Sequence, residues 1–157
     1  MLYSPEEKIK ILYVDDEENN LQAFKATFRR DFQIFLALSA SEGREILKTE
    51  DVHLIITDQR MPEETGVDFL ASIIPINPDP IRILLTGYTD IQAVIDAINK
   101  GQVYHYLTKP WEEDYMRTVI HNAYEVYMLR RENRQLTSEL MEVNGQLEFV
   151  LRQNLLS

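Results

Sequence analysis

Leu54-Ile55-Ile56-Thr57-Asp58-Gln59-Arg60-Met61-Pro62 is a short apolar run that ends on an aspartate and breaks into a tight loop. Its uninterrupted apolar character predicts a strand buried on both faces of a parallel sheet. An aspartate at the carboxyl end of such a strand stands where open α/β sheets gather their chemistry. By itself the run is weak evidence, since many buried strands end on a solvated aspartate that merely starts a turn. Three further polar sites fall at the ends of other predicted strands. They are the acidic cluster Asp15-Asp16-Glu17-Glu18, the Thr86-Gly87 step and Lys109-Pro110.

Outward from this run, short apolar stretches alternate with amphipathic ones. Residues 8–14 predict a first strand, and residues 18–30, with Leu21, Phe24 and Phe28 on one face, predict a helix. Residues 32–38 form the second strand, after which Ser39 followed by Glu42 marks a helix start. Residues 52–57 give the third strand, and residues 67–74 a helix that ends in the loop of Pro75, Pro78 and Pro80. Residues 81–86 make the fourth strand. Thr89 and Gln92 then cap a helix with Ile91, Val94, Ile95 and Ile98 on its apolar face and Gly101 at its end. Residues 103–107 are a short fifth strand. Five strands alternating with helices imply a doubly wound parallel α/β sheet. Right-handed crossovers bring the carboxyl ends of its strands to one edge, so Asp15, Asp58, Thr86 and Lys109 can share one pocket.

The totals agree with one such domain plus an appendage. The chain has 157 residues, 45% of them apolar, and a formal net charge of −10. That acidity, with no basic cluster beyond Arg130-Arg131 and Arg134, predicts no nucleic-acid surface. The absence of cysteine excludes disulfides and thiolate metal sites and is compatible with a reducing cytosol. No apolar run approaches a membrane span and the amino terminus lacks a signal-peptide core, so a cytoplasmic location is expected.

From Trp111 onward the pattern changes: residues 112–154 contain no proline and a single glycine, Gly145. With Leu129, Leu136, Val143 and Val150 at heptad position d, position a reads Val119, Val126, Asn133, Leu140, Leu147 and Asn154. This seam predicts a coiled coil, and Asn133 at an a position favours two parallel strands in register. Glu125 and Arg130 are placed to pair across such a dimer. A continuous helix here runs roughly 65 Å, at about 1.5 Å per residue. The rival expectation is an exposed, frayed linker. The division expected is a folded unit over residues 1–125 and a helical extension over residues 126–157, with no output domain following Leu155-Leu156-Ser157.

Asp15, Asp16 and Asp58 in one cleft would raise one another's pKa unless a cation intervenes. All-oxygen ligands without histidine or cysteine suit Mg²⁺. Lys109 supplies a compact charge for a phosphoryl group, and Thr86 a hydroxyl donor. Together they suit formation of an aspartyl phosphate, a reaction governed by positioning and charge neutralisation. Taken singly, each residue has a plainer role. Asp15 and Asp16 could cap the first helix, Thr86 end a strand, Lys109 lie on the surface and Tyr106 belong to the core.

The spacing of Asp15-Asp16, Asp58 with Met61-Pro62, Thr86-Gly87, Tyr106 and Lys109-Pro110 resembles the receiver domain of two-component response regulators. The resemblance covers about residues 8–125 and implies a flavodoxin-like receiver fold extended by a coiled-coil helix. It implies phosphotransfer to Asp58 from a histidine kinase or a histidine phosphotransfer protein. Mg²⁺ would be held by Asp16, Asp58 and the backbone carbonyl of Arg60, with Asp15 helping through water. It further implies that Lys109 contacts the phosphoryl oxygens, that Lys109-Pro110 is cis, and that Thr86 and Tyr106 form a switch pair. Such a protein is a phosphoacceptor, not an enzyme beyond its own Mg²⁺-dependent phosphorylation and dephosphorylation. Gly87 departs from the commoner alanine. Arg60 and Tyr88, two residues beyond Asp58 and Thr86, are expected to slow self-dephosphorylation; an unchanged phosphoryl lifetime in an Arg60→Ala, Tyr88→Ala variant would refute this.

Stretches such as residues 85–90 and 106–111 look like those of receivers coupled to enzymatic outputs. Two other classes are weighed. A haloacid-dehalogenase-type phosphatase also forms an aspartyl phosphate, but needs Asp-x-Asp after the first strand, where this chain has Asp15-Asp16-Glu17. A phosphorylation-independent dimeric scaffold would keep the fold without using the pocket.

Overall fold

The structure, a computed structural model, describes residues 7–87 and 90–156. The elements run β1 (Ile9–Val14), α1 (Glu18–Phe28), β2 (Phe32–Ala37), α2 (Ala40–Thr49), β3 (Leu54–Asp58), α3 (Gly66–Ile73), β4 (Ile81–Thr86), α4 (Ile91–Asn99), β5 (His105–Thr108) and α5 (Glu113–Leu156). All strand pairs are parallel and the sheet order is β2-β1-β3-β4-β5, the flavodoxin-like order of a doubly wound fold. β3 lies at the centre with all five residues buried, which is why Leu54, Ile55 and Ile56 are apolar without alternation.

Alternate residues of the strands feed two cores. On one face Ile9, Ile11, Tyr13, Ile56 and Ile83 pack against Leu21, Phe24 and Phe28 of α1 and Met116, Ile120 and Ala123 of α5. On the other, Leu12, Val14, Ile55 and Leu84 meet Phe69 and Leu70 of α3 and Val94 and Ala97 of α4. Trp111 packs its ring against Phe24 and Phe28, seating the chain just before α5 begins.

Local signals explain several boundaries. The Ser39 hydroxyl accepts from the Glu42 N–H, and the Glu42 carboxylate accepts from the Leu38 N–H, which together start α2. Thr65 caps α3 in the same way through the Asp68 N–H. The expected start of α4 is different. Thr89 lies outside the described residues, Asp90 holds the cap position without a capping bond, and its carboxylate accepts from Arg60 instead.

The expected apolar face of α4 is met in part, Ile98 packing against the second core together with Val94. Val94 is buried with Ala97, whereas Ile91 and Ile95 remain 38% and 41% exposed. This helix is apolar on two stripes, and the sheet takes the one carrying the small Ala97.

α5 is one helix of 44 residues. Its first four turns lie on the sheet, and Val126, Tyr127 and Met128 still pack against the core. Val119, assigned above to the coil seam, is 7% exposed and belongs to the core of its own domain. The uncovered part of the seam therefore begins at Leu129 and continues through Leu136, Leu140, Val143, Leu147 and Val150, all more than half exposed.

Candidate functional site

The carboxyl ends of β1, β3 and β5 converge on one cleft. Asp15, Asp16 and Asp58 place carboxylate oxygens within 4.8 Å of one another. Asp15 is fully buried and Asp58 nearly so, while Asp16 reaches solvent. Lys109 enters from the turn after β5, its Nζ 2.9 Å from Asp58 Oδ2 and 3.5 Å from Asp15 Oδ2. Its backbone is fixed from below, the Lys109 N–H donating to the Thr86 carbonyl at 3.0 Å. The peptide bond that follows, Lys109-Pro110, is cis.

Asp15 does not cap α1. Its Oδ1 accepts from the Glu17 N–H at 3.0 Å, an Asx turn that aims the carboxylate back into the cleft. Its Oδ2 accepts from the Tyr13 hydroxyl at 3.2 Å and the Asn20 amide at 3.1 Å. The N-cap position of α1 is Glu17, and it makes no side-chain capping bond.

Asp58 is held by its neighbours. The Gln59 N–H donates to the Leu85 carbonyl, the Gly66 N–H to the Gln59 carbonyl, and the Val67 N–H to Gln59 Oε1. These bonds fold the loop after β3 back against the sheet. Gly66 is needed there because an added Cβ would meet the Asp58 carbonyl oxygen at 2.3 Å.

The electrostatics follow from this packing. Burial raises the Asp58 pKa and the Asp15 charge adds to it, while the Lys109 hydrogen bond and charge and the Gln59 N–H oppose the rise. Burial works against the Lys109 ammonium, yet Asp58 and Asp15 outweigh it and hold its pKa above the ordinary lysine value. Tyr13 is pushed well above the usual phenol range, by burial first and by Asp15 second, so it stays a neutral donor.

Of the remaining expected residues, Thr86 ends β4, Tyr106 lies on β5 and Arg60 in the loop after β3. Thr86 is buried at the end of β4 and its hydroxyl donates to the Gly87 carbonyl at 2.9 Å. Tyr106, on β5, is 36% exposed. Arg60 leaves the loop after β3 and its Nε donates to Asp90 at 2.8 Å, bridging to the start of α4. Tyr88, named with Arg60 as a border of the water path, lies outside the described residues. Tyr13 and Asn20 escaped the sequence reading, although Tyr13 shares a strand face with Asp15 by simple alternation. Asn20 gave no such signal, since only the Asx turn brings it back.

The cleft is thus a cluster of hard oxygen donors with one lysine across it, a donor set that fits Mg²⁺ and a phosphoryl group. The sequence pattern of the response regulator receiver domain matches residues 11–121, and the chain belongs to that family. Among curated relatives, the hydrogenase transcriptional regulatory protein HoxA of Bradyrhizobium diazoefficiens is 33% identical over 141 residues, 90% of this chain and 29% of that protein. This chain therefore spans under a third of the relative's length. A response regulator receiver domain protein from Clostridium thermocellum is 34% identical, with TM-score 0.72 over 77% of this chain and 98% of that one. The crystal structure described as adenylate cyclase from Rhodopirellula baltica is 28% identical, with TM-score 0.81 over 84% of this chain and 98% of that one. Receiver domains are phosphoacceptor signalling domains that hold Mg²⁺ in an acidic pocket, and they imply a histidine kinase as partner. No described helix is long and apolar enough to cross a membrane.

Proposed function

We propose that this chain is the phosphoacceptor module of a two-component response regulator, receiving a phosphoryl group on Asp58 from a histidine kinase or a histidine phosphotransfer protein. The observation that carries this is the 2.9 Å contact of Lys109 Nζ with Asp58 Oδ2 inside the three-carboxylate cluster. Asp58 supplies the nucleophilic oxygen. Asp15, Asp16, Asp58 and the Arg60 carbonyl would hold Mg²⁺, which neutralises charge on the transferring group. Lys109 exchanges its contact with the carboxylate for one with phosphoryl oxygens. Thr86 turns its hydroxyl from Gly87 toward the phosphoryl group, and Tyr106 moves inward from its exposed position. A shift of the population from about 1:99 to 99:1 needs roughly 5.5 kcal/mol of preference for the switched state.

Residues 1–125 form the receiver unit in this account and residues 126–157 a cytoplasmic parallel coiled coil. Two chains pair along Leu129, Leu136, Leu140, Val143, Leu147 and Val150, which are exposed in the single chain. HoxA carries transcriptional regulation in its name and the Rhodopirellula protein a cyclase. Chains similar to this one thus carry names of different kinds, and this one would relay to whichever output its regulator carries.

The test is intact mass after incubation with Mg²⁺ and acetyl phosphate. A labile gain of one phosphoryl group, lost in Asp58→Asn and on chelation, is expected. No gain under any donor would favour a phosphorylation-independent scaffold, and turnover of a small phosphoester would favour a phosphatase.

A further inference from the structure

Helix α5 packs on its own domain over its first turns and is exposed beyond them. Met116, Ile120, Ala123, Tyr124 and Tyr127 face the chain's own domain, whereas the seam from Leu129 onward is exposed. Where the helix leaves the sheet, its last contacts with the domain are polar and aromatic. His53, before β3, is bracketed by the Tyr124 and Tyr127 rings, each with its centroid 5.0 Å away. The Arg130 guanidinium sits 5.9 Å from the centre of the Tyr104 ring. Arg134 forms an ion pair with Asp79.

Asp79 and Tyr104 stand at the starts of β4 and β5, and one buried side chain organises both. Arg82 donates to the carbonyls of Pro78 and Pro80 at 3.1 and 3.2 Å, on either side of Asp79. It also donates to the carbonyls of Gln102 and Gly101 at 2.9 and 3.3 Å, just before Tyr104. The Tyr104 N–H in turn donates to the Arg82 carbonyl at 2.8 Å. Five hydrogen bonds therefore make the two strand starts one rigid platform. A surface ion pair between free side chains holds little, but here the acid is fixed between two anchored prolines.

We infer that this platform is the docking surface for the junction turn of α5, and that its contacts with Arg130 and Arg134 set the angle at which the seam is offered to a second copy of this chain. The inference rests on the coiled-coil pairing proposed above. In the resulting dimer the two receivers lie outside the coil, each fixed in rotation by its own Asp79 and Tyr104. Arg130 thereby serves its own Tyr104, which draws it from the expected pairing with Glu125 of a second chain. The platform also occupies the near ends of β4 and β5; Thr86 closes β4 at its far end and Tyr106 is the second residue of β5, so a shift of either strand reaches the seam.

The cysteine-free sequence allows a direct test on the full chain. A spin label at Lys48→Cys, an exposed position of α2, reports the distance between receivers, and a disulfide at Leu136→Cys reports coil pairing. The Asp79→Ala, Tyr104→Ala variant is expected to keep the Leu136→Cys cross-link while its inter-receiver distance distribution broadens at least twofold. The charge-reversed pair Asp79→Arg, Arg134→Asp is expected to restore a narrow distribution. A cross-linked dimer whose distribution ignores these changes would overturn the platform and leave the pairing intact. A chain that neither cross-links nor dimerises would overturn both.

Discussion

Gly66→Ala tests the close packing that positions Asp58. The new Cβ would lie 2.3 Å from the Asp58 carbonyl oxygen and 2.8 Å from Leu84 Cδ1. The leucine methyl can swing aside, but the carbonyl belongs to the central strand. Carbon–oxygen contacts settle near 3.3 Å, so the first turn of α3 and the end of β3 must part by about 1 Å. That movement opposes the Gly66–Gln59 and Val67–Gln59 hydrogen bonds of 3.0 and 2.9 Å. Overpacking of this kind costs about 1–3 kcal/mol, and more where backbone is the obstacle. The better helix propensity of alanine returns at most about 1 kcal/mol. A net loss of about 2 kcal/mol lowers Tm by roughly 4–8 °C for a chain of this size. The same displacement falls on the acceptor, where a 1 Å error can cost about a hundredfold in rate. Calorimetry and the rate of acetyl phosphate labelling measure the two effects. A Tm equal to or above that of the parent, with unchanged labelling, would show that the loop yields freely and refute the reasoning.

Further outcomes follow from other positions. Gly145→Ala, in the open with no atom within 4 Å of its added Cβ, is expected to stabilise the distal helix by about 1 kcal/mol per chain; thermal circular dichroism would register a lower coil transition if this is wrong. His53 accepts from the Lys10 N–H at 2.9 Å and must be neutral to do so. Its pKa is lowered chiefly by burial, with Lys10 and Arg131 adding and Glu7 and Asp51 opposing. The folded state therefore binds this proton less readily than the unfolded state. The stability from neutral His53 is full above the unfolded histidine value near 6.5 and is lost as pH falls toward the folded pKa. His53→Asn should flatten the decline in Tm on the acid side of that value, and an unaltered slope would contradict it. Asp58 has the opposite sign: its raised pKa means that its ionised form costs stability, increasingly as pH rises through the folded value. Asp58→Asn should thus raise Tm at neutral pH in chelator, and a lowered Tm would show the Lys109 contact to be the larger effect.

Much of this was written plainly in the chain. Residues 54–56 are apolar without alternation because β3 is covered on both faces, and the run ending on Thr57-Asp58 places Asp58 at a strand end. The other polar strand ends were legible for the same reason. What escaped depends on tertiary choice. α4 offers two apolar stripes, and periodicity cannot say which one the sheet will take. A heptad count cannot tell that Val119 serves its own domain, because a residue against a sheet and a residue in a coil share the same spacing. Arg82 sits in a run that reads as an apolar strand, and its burial is intelligible only once four carbonyls converge on it. Asn20 reaches Asp15 only through the turn between β1 and α1.

The most direct measurement is chemical location of the phosphoryl group. The protein is treated with Mg²⁺ and acetyl phosphate, reduced with borohydride to convert an acyl phosphate to an alcohol, and digested for mass spectrometry. The account predicts homoserine at position 58 alone, absent without Mg²⁺. Homoserine at position 15 or 16, or at no position while the phosphoryl group is otherwise detected, would contradict it.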